Sequence, residues 1–423
     1  MRSDEVRALG ELAAAAAATI ADQARDTHAG IAARVFAGLG PSATPVRALH
    51  DRIAEAAYAG AHDITAALVQ GGARALSLTR TKQAPSIDDS AAGRLAVAAL
   101  NGAVGDALAQ RRSPLASAMS LRWRGRDLTL DPGSVAAAVP CAGPRLAIFV
   151  HGLCETDDAW RRRADRHAPY ADRLESELGY TPLFVRYNSG LHVSDNGWRL
   201  GELLEDLAGC WPVAVDEIAL IGHSMGGLVA RSACHYGAAD GWRSRVAHVV
   251  ALGAPHRGAP LEQAANVACS ALSLVPETRA FATPLRARSA GIKDLRYGYL
   301  VQEDWLHSDP DAFLRDTSRE IPFLETANHY FVCATVAAGP DAPVSRIVGD
   351  LLVLRSSAFA QRRRGEPLRF ELGNYRHVGG ATHLDLLNHP AIGEQIVTWL
   401  RGEREPGAGP TTGSSGRTMA ELP

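Results

Sequence analysis

The sequence lacks a surplus of charge of either sign, and this absence excludes several classes of partner. Its 423 residues include 44 Lys and Arg against 46 Asp and Glu, which gives a formal net charge of −2. A protein that binds a polyanion usually carries a clear basic excess. The two short arginine runs, 161–163 and 362–364, are therefore interpreted as solvated surface. We expect no nucleic-acid partner.

Long apolar runs and paired cysteines are also missing. No stretch approaches the roughly 20 apolar residues that are needed to cross a bilayer. The first residues include Asp4 and Glu5, which are atypical of a secretory signal. The six cysteines form no C-x-x-C pair and have no regular spacing, so neither a zinc site nor a disulfide framework is expected. We therefore expect a soluble, cytoplasmic protein.

What the sequence does contain is a serine between two glycines, where a strand pattern changes to a helix pattern. Residues 217–221 are a short apolar run that suits a buried parallel strand, and residues 227–237 have a helical pattern that ends at a glycine. The G-x-S-x-G spacing of Gly222, Ser224 and Gly226 predicts a nucleophile elbow. The helix that follows would favour negative charge developing near the serine.

Alanine-rich helical patterns dominate residues 1–115. Helices are predicted around 11–20, 45–68 and 90–110, and none of them carries a catalytic constellation. We interpret this region as a helical accessory domain that is open to a partner or to self-association. The region has few bulky apolar side chains that could anchor it in a membrane surface, which argues against a membrane-surface role.

From residue 116 to residue 402, strand and helix patterns alternate. This alternation predicts a doubly wound, mostly parallel sheet with helices on both faces, opened by a hairpin over 119–130. Further strands are predicted over 146–150, 181–187, 246–252, 328–336 and 368–372. Residues 259–325 interrupt the rhythm and are expected to form a lid or cap, with an ordinary helical excursion as the alternative. Residues 403–423 are rich in Pro, Gly, Ser and Thr and are expected to be a disordered tail.

A serine nucleophile needs donors that stabilise the oxyanion formed when it attacks an acyl carbonyl. The strand over 146–150 leads into His151 and Gly152, which is where an oxyanion loop is expected. Backbone N–H groups of Leu153 or Cys154, together with that of Met225, would receive the oxyanion.

The same serine needs a base and a carboxylate that orients it, on loops at the carboxyl ends of strands. Asp350 is the preferred acid because it follows the penultimate strand, and Asp341 is the second choice. His383 follows the last strand and is the preferred base, with His377 as its competitor. Two other histidines are considered and set aside, His389 because it lies too far into the closing helix and His223 because it is expected to pack or hydrogen-bond locally.

These pieces resemble the α/β-hydrolase superfamily, and within it the serine lipases and esterases of the GPI inositol-deacylase-like group. The resemblance covers roughly residues 120–402, and the matching stretches are 151–154, 222–227, 252–258, 349–353 and 382–386. It implies a carboxylic ester hydrolase without metal or organic cofactor. The implied roles are Ser224 as nucleophile, His383 as base, Asp350 as orienting acid, and the amides of Leu153 and Met225 as oxyanion donors.

Two other functions use the same sequence features. Acyl transfer to an alcohol or amine, or thioester hydrolysis, would use the same triad on a different acceptor or acyl donor. A non-catalytic binding protein of the same fold is the third hypothesis, although one would then expect part of the triad to be lost. In each enzymatic case the expected partner is a small-molecule ester or a lipid.

Overall fold

The fold is built on one eight-stranded sheet, described by a computed structural model for residues 1–39, 44–81, 83–274, 278–339, 349–358 and 372–402. Within these ranges the strand order is β2-β1-β4-β3-β5-β6-β7-β8. The strands are β1 Ser120–Trp123, β2 Arg126–Asp127, β3 Arg145–Val150, β4 Thr181–Arg186, β5 Glu217–His223, β6 Val246–Leu252, β7 Asn328–Thr335 and β8 Tyr375–Gly379. Asp341, most of the strand predicted over 368–372 and the tail 403–423 lie outside the described residues.

The predicted doubly wound sheet is confirmed. The antiparallel hairpin β1–β2 forms one edge, β1 is antiparallel to β4, and the other neighbouring strands are parallel. At the carboxyl edge Val150 pairs with Gly222, and His223 pairs with Leu252. The loops that leave β3, β5 and β6 therefore begin side by side.

Helices cover both faces of this sheet. Successive residues of β3 point to opposite faces, so Ile148 packs with one buried cluster and Phe149 with the other, as the two-residue period of a strand requires. The described helices are α1 Ser3–Leu39, α2 Thr44–Leu78, α3 Ala91–Gln110, α4 Pro132–Ala138, α5 Tyr170–Leu178, α6 Val193–Cys210, α7 Met225–Tyr236, α8 Pro260–Leu274, α9 Arg279–Arg286, α10 Ala290–Asp294, α11 Arg355–Ala358 and α12 Pro390–Leu400. None of the helices in these ranges combines the length and apolarity that a membrane crossing needs.

The two longest helices, α1 and α2, pack against each other as a hairpin. The ring of His28 lies 5.1 Å from that of His50 and 5.7 Å from that of Tyr58, centroid to centroid. The apolar series Val46, Leu49 and Ile53, whose spacing predicted α2, is exposed. The spacing therefore predicts the helix correctly, but it does not predict which face the rest of the chain covers.

The third helix, α3, packs directly on the loops at the carboxyl edge of the sheet. A Cβ added to Gly102 would collide with the sulfur of Cys154 in the loop after β3. Asn188, in the loop after β4, donates a hydrogen bond to the carbonyl of Gly105 at 2.8 Å. Ser289, which precedes α10, donates to the carbonyl of Gly102 at 2.6 Å. The third helix thus borders the edge where the candidate site residues lie.

Candidate active site

Ser224 lies at the junction of β5 and α7 with a strained backbone. Its φ of 52° and ψ of −123° are in a region that non-glycine residues rarely occupy, at a cost on the order of 1–3 kcal/mol. Its N–H donates to the carbonyl of Leu252 at 2.8 Å. A Cβ on Gly226 would collide with the carbonyl oxygens of Val150 and His151, so the tight turn requires glycine there.

His383 and Asp350 are in direct contact through two hydrogen bonds. The imidazole Nδ1 of His383 lies 2.7 Å from Oδ2 of Asp350, and its backbone N–H donates to the Asp350 carbonyl at 3.1 Å. The other carboxylate oxygen of Asp350 accepts from the N–H groups of Leu352 and Val353 at 3.0 and 2.8 Å. Both side chains are buried. A carboxylate in this position keeps the proton on Nδ1, which leaves Nε2 as the basic nitrogen.

The His383 ring lies beside the serine elbow. Its centroid is 4.8 Å from that of His223, the residue before Ser224. A Cβ on Gly253 would come within 3.0 Å of the His383 ring, so the glycine after β6 makes room for it. Nε2 of His383 is buried and makes no hydrogen bond to any residue that the structure describes. The Ser224 hydroxyl is therefore not yet bonded to this nitrogen, as is common in free enzymes.

The other two histidines of this region hydrogen-bond to other residues. Nε2 of His377 lies 2.8 Å from the hydroxyl of Thr335, and His377 is part of β8. His389 precedes α12; its backbone N–H donates to the hydroxyl of Tyr170 at 2.8 Å, and its Nδ1 has no hydrogen-bond partner among the described residues. Neither side chain contacts Asp350 among the described contacts.

The loop after β3 lies against Ser224. A Cβ on Gly152 would be 3.0 Å from the Cβ of Ser224. The N–H of Cys154 donates to the hydroxyl of Ser189 at 3.1 Å, so this amide is occupied. The N–H groups of Leu153 and Met225 donate no hydrogen bond within the described part of the chain. Of the two alternatives for the loop donor, the structure leaves Leu153 free to bind a ligand.

Glu155 and His223 make contacts near this loop that are not predicted from the sequence. The Glu155 carboxylate accepts the N–H of Gly152 at 2.7 Å and lies 3.0 Å from Nδ1 of His223. Nε2 of His223 lies 3.1 Å from the backbone carbonyl of His383. The sequence predicts that His223 packs or hydrogen-bonds locally, but its two partners, Glu155 and the His383 carbonyl, are 68 and 160 residues away in the sequence.

One protein family matches the part of the chain that contains the elbow. The family model described as PGAP1-like alpha/beta domain matches residues 212–295. This match, together with the strand order and the elbow, bears out the resemblance noted in the sequence. The chain has the α/β-hydrolase fold. No curated protein sequence is similar to it at a significant level.

Solved structures of a lipase, an esterase and a phospholipase are similar to this one in outline. The propeptide form of the lipase BlEst2 from Bacillus licheniformis has a TM-score of 0.40 and 16% identity, over 66% of this chain and 53% of that chain. The esterase PF2001 from Pyrococcus furiosus has a TM-score of 0.33 and 12% identity, over 62% of this chain and 83% of that chain. Phospholipase PlaB from Legionella pneumophila has a TM-score of 0.31 and 16% identity, over 51% of this chain and 45% of that chain. This chain therefore spans about half the length of the BlEst2 propeptide form.

The site offers no grouping of metal ligands. In the described ranges, no three His, Cys, Asp or Glu side chains are arranged to hold a metal ion. The arrangement instead places a strained serine, a carboxylate-bound imidazole and two free amides within one edge of the sheet. These are the groups that acyl transfer through a serine requires.

Proposed function

We propose that this α/β-hydrolase cleaves carboxylic esters through an acyl-enzyme on Ser224. The observation that carries the proposal is the 2.7 Å contact between His383 Nδ1 and Asp350 Oδ2 beside the strained serine. The catalytic domain would be residues 116–402, and residues 1–115 would be the accessory domain.

In the first half of the reaction, the Ser224 oxygen forms a bond to the acyl carbonyl carbon while its proton moves to Nε2 of His383. Asp350 stabilises the imidazolium that results. The N–H groups of Leu153 and Met225 donate to the carbonyl oxygen as it becomes an oxyanion, and one such donor is typically worth about 3 kcal/mol of transition-state stabilisation. The alcohol then leaves with the proton from His383.

In the second half, water replaces the alcohol. His383 removes a proton from water, whose oxygen attacks the acyl carbon, and the same two amides bind the second oxyanion. The bond to Ser224 then breaks, the serine oxygen recovers its proton from His383, and the carboxylic acid is released. None of these reaction steps needs a metal or an organic cofactor.

Three exposed apolar side chains directly follow the proposed acid and the proposed base in the sequence. Leu351 and Leu352 follow Asp350 and are 58% and 39% exposed, and Leu384 follows His383 and is 42% exposed. Exposed large apolar side chains that cluster beside a polar site are typical of ligand-binding surfaces. We therefore propose a substrate with an apolar acyl chain, as in a lipid ester, over a short polar ester.

Residues 259–325 are proposed as the cap over this substrate. They are tied to the loop after β4, since the N–H of Gly291 donates to the carbonyl of Gly190 at 3.0 Å. In the same loop, Nδ1 of His192 lies 3.0 Å from the buried carboxylate of Asp294. That loop also supplies Ser189, which binds the Cys154 amide of the proposed oxyanion loop at 3.1 Å.

The proposal is tested by labelling the folded protein with a fluorophosphonate probe, beside Ser224→Ala, followed by p-nitrophenyl esters from acetate to palmitate. We expect labelling of the wild type and none of Ser224→Ala, with a chain-length optimum above butyrate. Asp350→Asn should keep the fold and lower kcat by roughly 10³- to 10⁴-fold, because the imidazole loses the carboxylate that sets its tautomer. Absence of labelling in the folded wild type would remove the hydrolase proposal.

Acyl transfer to an alcohol or amine is the second candidate, and the same acyl-enzyme allows it. Adding a short alcohol to the ester assay separates the two. Hydrolysis predicts that free acid remains the main product, whereas a transferase would divert most of the acyl group into the new ester.

A further inference from the structure

Glu155 is a largely buried carboxylate with no part in the steps above. It follows the proposed oxyanion loop, and one of its oxygens accepts the Gly152 N–H at 2.7 Å. Each of its two oxygens lies 3.0 Å from Nδ1 of His223. Its carboxylate therefore holds the start of the loop and one nitrogen of the elbow histidine at the same time.

His223 is fully buried, and both of its ring nitrogens face hydrogen-bond acceptors. Nδ1 faces the Glu155 carboxylate, and Nε2 faces the His383 carbonyl at 3.1 Å. A neutral imidazole has one N–H and can donate to only one of them, whereas an imidazolium donates to both. The geometry therefore favours the protonated ring, paired with the negative carboxylate.

The surroundings of the pair agree with this charge state. Burial would lower the pKa of His223, but the charge and hydrogen bond of Glu155, with the His383 carbonyl and Asp350, raise it. Burial would raise the pKa of Glu155, but His223, the Gly152 N–H and the charge of His151 lower it to about 2. The ring of Trp160 lies edge-on to His223 at 6.4 Å and adds no charge.

We propose that the Glu155–His223 ion pair is a positioning device, which fixes the oxyanion loop and the backbone of His383 to the serine elbow through one buried bridge. The inference rests on the proposed function, since it concerns how the catalytic groups are held. Neither side chain needs to touch the substrate. Without the bridge, the loop that carries Leu153 and the loop that carries His383 would each lose a contact to the nucleophile's own strand.

The direct test is Glu155→Gln, measured as kcat and KM on the best p-nitrophenyl ester. The carboxamide oxygen can still accept the Gly152 N–H, but it cannot hold His223 as an imidazolium. We expect kcat to fall roughly 10- to 100-fold with KM within about 2-fold, because small displacements of the reacting groups have effects of this size.

Glu217→Gln is the matched control. Glu217 forms the same kind of pair, since its carboxylate lies 3.2 Å from Nε2 of His248. Glu217 is the first residue of β5, whereas His223 is the last. At about 3.3 Å per residue the two pairs are roughly 20 Å apart. We expect Glu217→Gln to leave kcat within 2-fold, even if it lowers the midpoint of thermal unfolding as much as Glu155→Gln does.

Two substitutions of His223 test each end of the bridge separately. The amide nitrogen of His223→Asn can replace Nδ1 and bind Glu155, and that of His223→Gln can replace Nε2 and bind the His383 carbonyl. We expect each to lower kcat, because neither reaches both acceptors. If Glu155→Gln does not fold, these two variants still test the bridge.

A spectroscopic readout follows the charge state itself. In protein labelled with ¹⁵N-histidine, a ring with protons on both nitrogens should be seen at neutral pH whose signal vanishes in His223→Asn, which distinguishes it from any signal of His192 beside Asp294. The same signal should be lost in Glu155→Gln and kept in Glu217→Gln.

The outcomes separate the two proposals. A wild type that is labelled by the fluorophosphonate, with Glu155→Gln and both His223 variants within 2-fold of its kcat, overturns the positioning role and leaves the hydrolase intact. A neutral His223 in the wild type also overturns it. A wild type that is not labelled overturns the hydrolase itself.

Discussion

At the scale of single residues, the Glu155 carboxyl shows how neighbours can reverse the effect of burial. Burial raises its pKa, yet His223 and the Gly152 N–H bring it from 4.5 to about 2. Because this pKa is depressed in the folded protein, the carboxylate stabilises the fold above pH 4.5 and loses its effect as the pH falls towards 2. The raised pKa of His223 acts in the opposite direction, and its stabilisation is lost as the pH rises above the ordinary value of 6.5 and through its folded pKa.

The stability of Glu155→Gln should therefore depend on pH differently from that of the wild type. We expect the difference in free energy of unfolding to be largest between pH 4.5 and 6.5, at up to about 3 kcal/mol, because each unit of pKa shift corresponds to about 1.4 kcal/mol. This difference in free energy of unfolding should shrink as the pH falls to 3. Urea denaturation of both proteins at pH 3, 4, 5.5 and 7 measures the difference. A difference that stays constant across this range contradicts the ion pair between Glu155 and His223.

The sequence predicts some of these residues and not others, for a physical reason. Ser224 is marked by the two glycines that its turn requires, and Asp350 and His383 are marked by their place after successive strands, which brings them into contact. Glu155 has no such mark. Its partner is 68 residues away, and a glutamate in a polar loop is usually solvated. Only the folded loop brings this carboxylate under the elbow.

At the scale of elements, the packing of α3 on the loop after β3 is sensitive to the addition of a single methyl group. Gly102 allows the helix to approach Cys154, whose backbone φ is 60°. A methyl group at this position must displace either the helix or the loop. The displacement would move Leu153, the neighbour of Cys154 and a proposed oxyanion donor.

Gly102→Ala should therefore lower ester hydrolysis at least 10-fold and lower the midpoint of thermal unfolding. Gly72→Ala in α2 is the control, because a Cβ there meets nothing within 4 Å. That change should stabilise the helix by about 0.5–1 kcal/mol and leave activity unchanged. Equal activity of the two variants would show that α3 does not shape the loop.

The last strand of the sheet is not predicted from the sequence. The sequence predicts a closing strand at 368–372, most of which lies outside the described residues, and the last described strand is Tyr375–Gly379, which pairs with β7 from Phe331 to Thr335. Its sequence, with Arg376 and His377, is too polar to be recognised as an inner strand. A polar sequence is compatible with this strand because it lies at the edge of the sheet, where most of its side chains are only half-buried. Its only strand partner among the described residues is β7.

At the scale of the whole molecule, the helical hairpin carries much of the exposed apolar surface. Val46, Leu49 and Ile53 on α2 are each 61–62% exposed. Ile20, Ile31 and Val35 on α1 are exposed as well. With a sequence pI of about 6.7, the protein also has little net charge near neutral pH to keep copies apart.

Replacing Val46, Leu49 and Ile53 together by Gln should therefore reduce self-association. We expect light scattering near pH 6.7 to be lower for the triple variant than for the wild type, while kcat on esters stays within 2-fold. Unchanged scattering would mean that the hairpin does not associate in solution. The comparison should be repeated at pH 8.5, where greater net charge should narrow the difference between the two proteins.

The bridge from His223 to His383 has a consequence for how the protein is made. The two residues are 160 positions apart, and at 5–20 residues per second a ribosome needs on the order of 10–30 s to add the later one. During that interval Ser224 has been added to the chain, but its proposed base has not. A nascent chain interrupted before residue 383 would carry the proposed nucleophile without that base, so we expect no ester cleavage until residue 383 has been added.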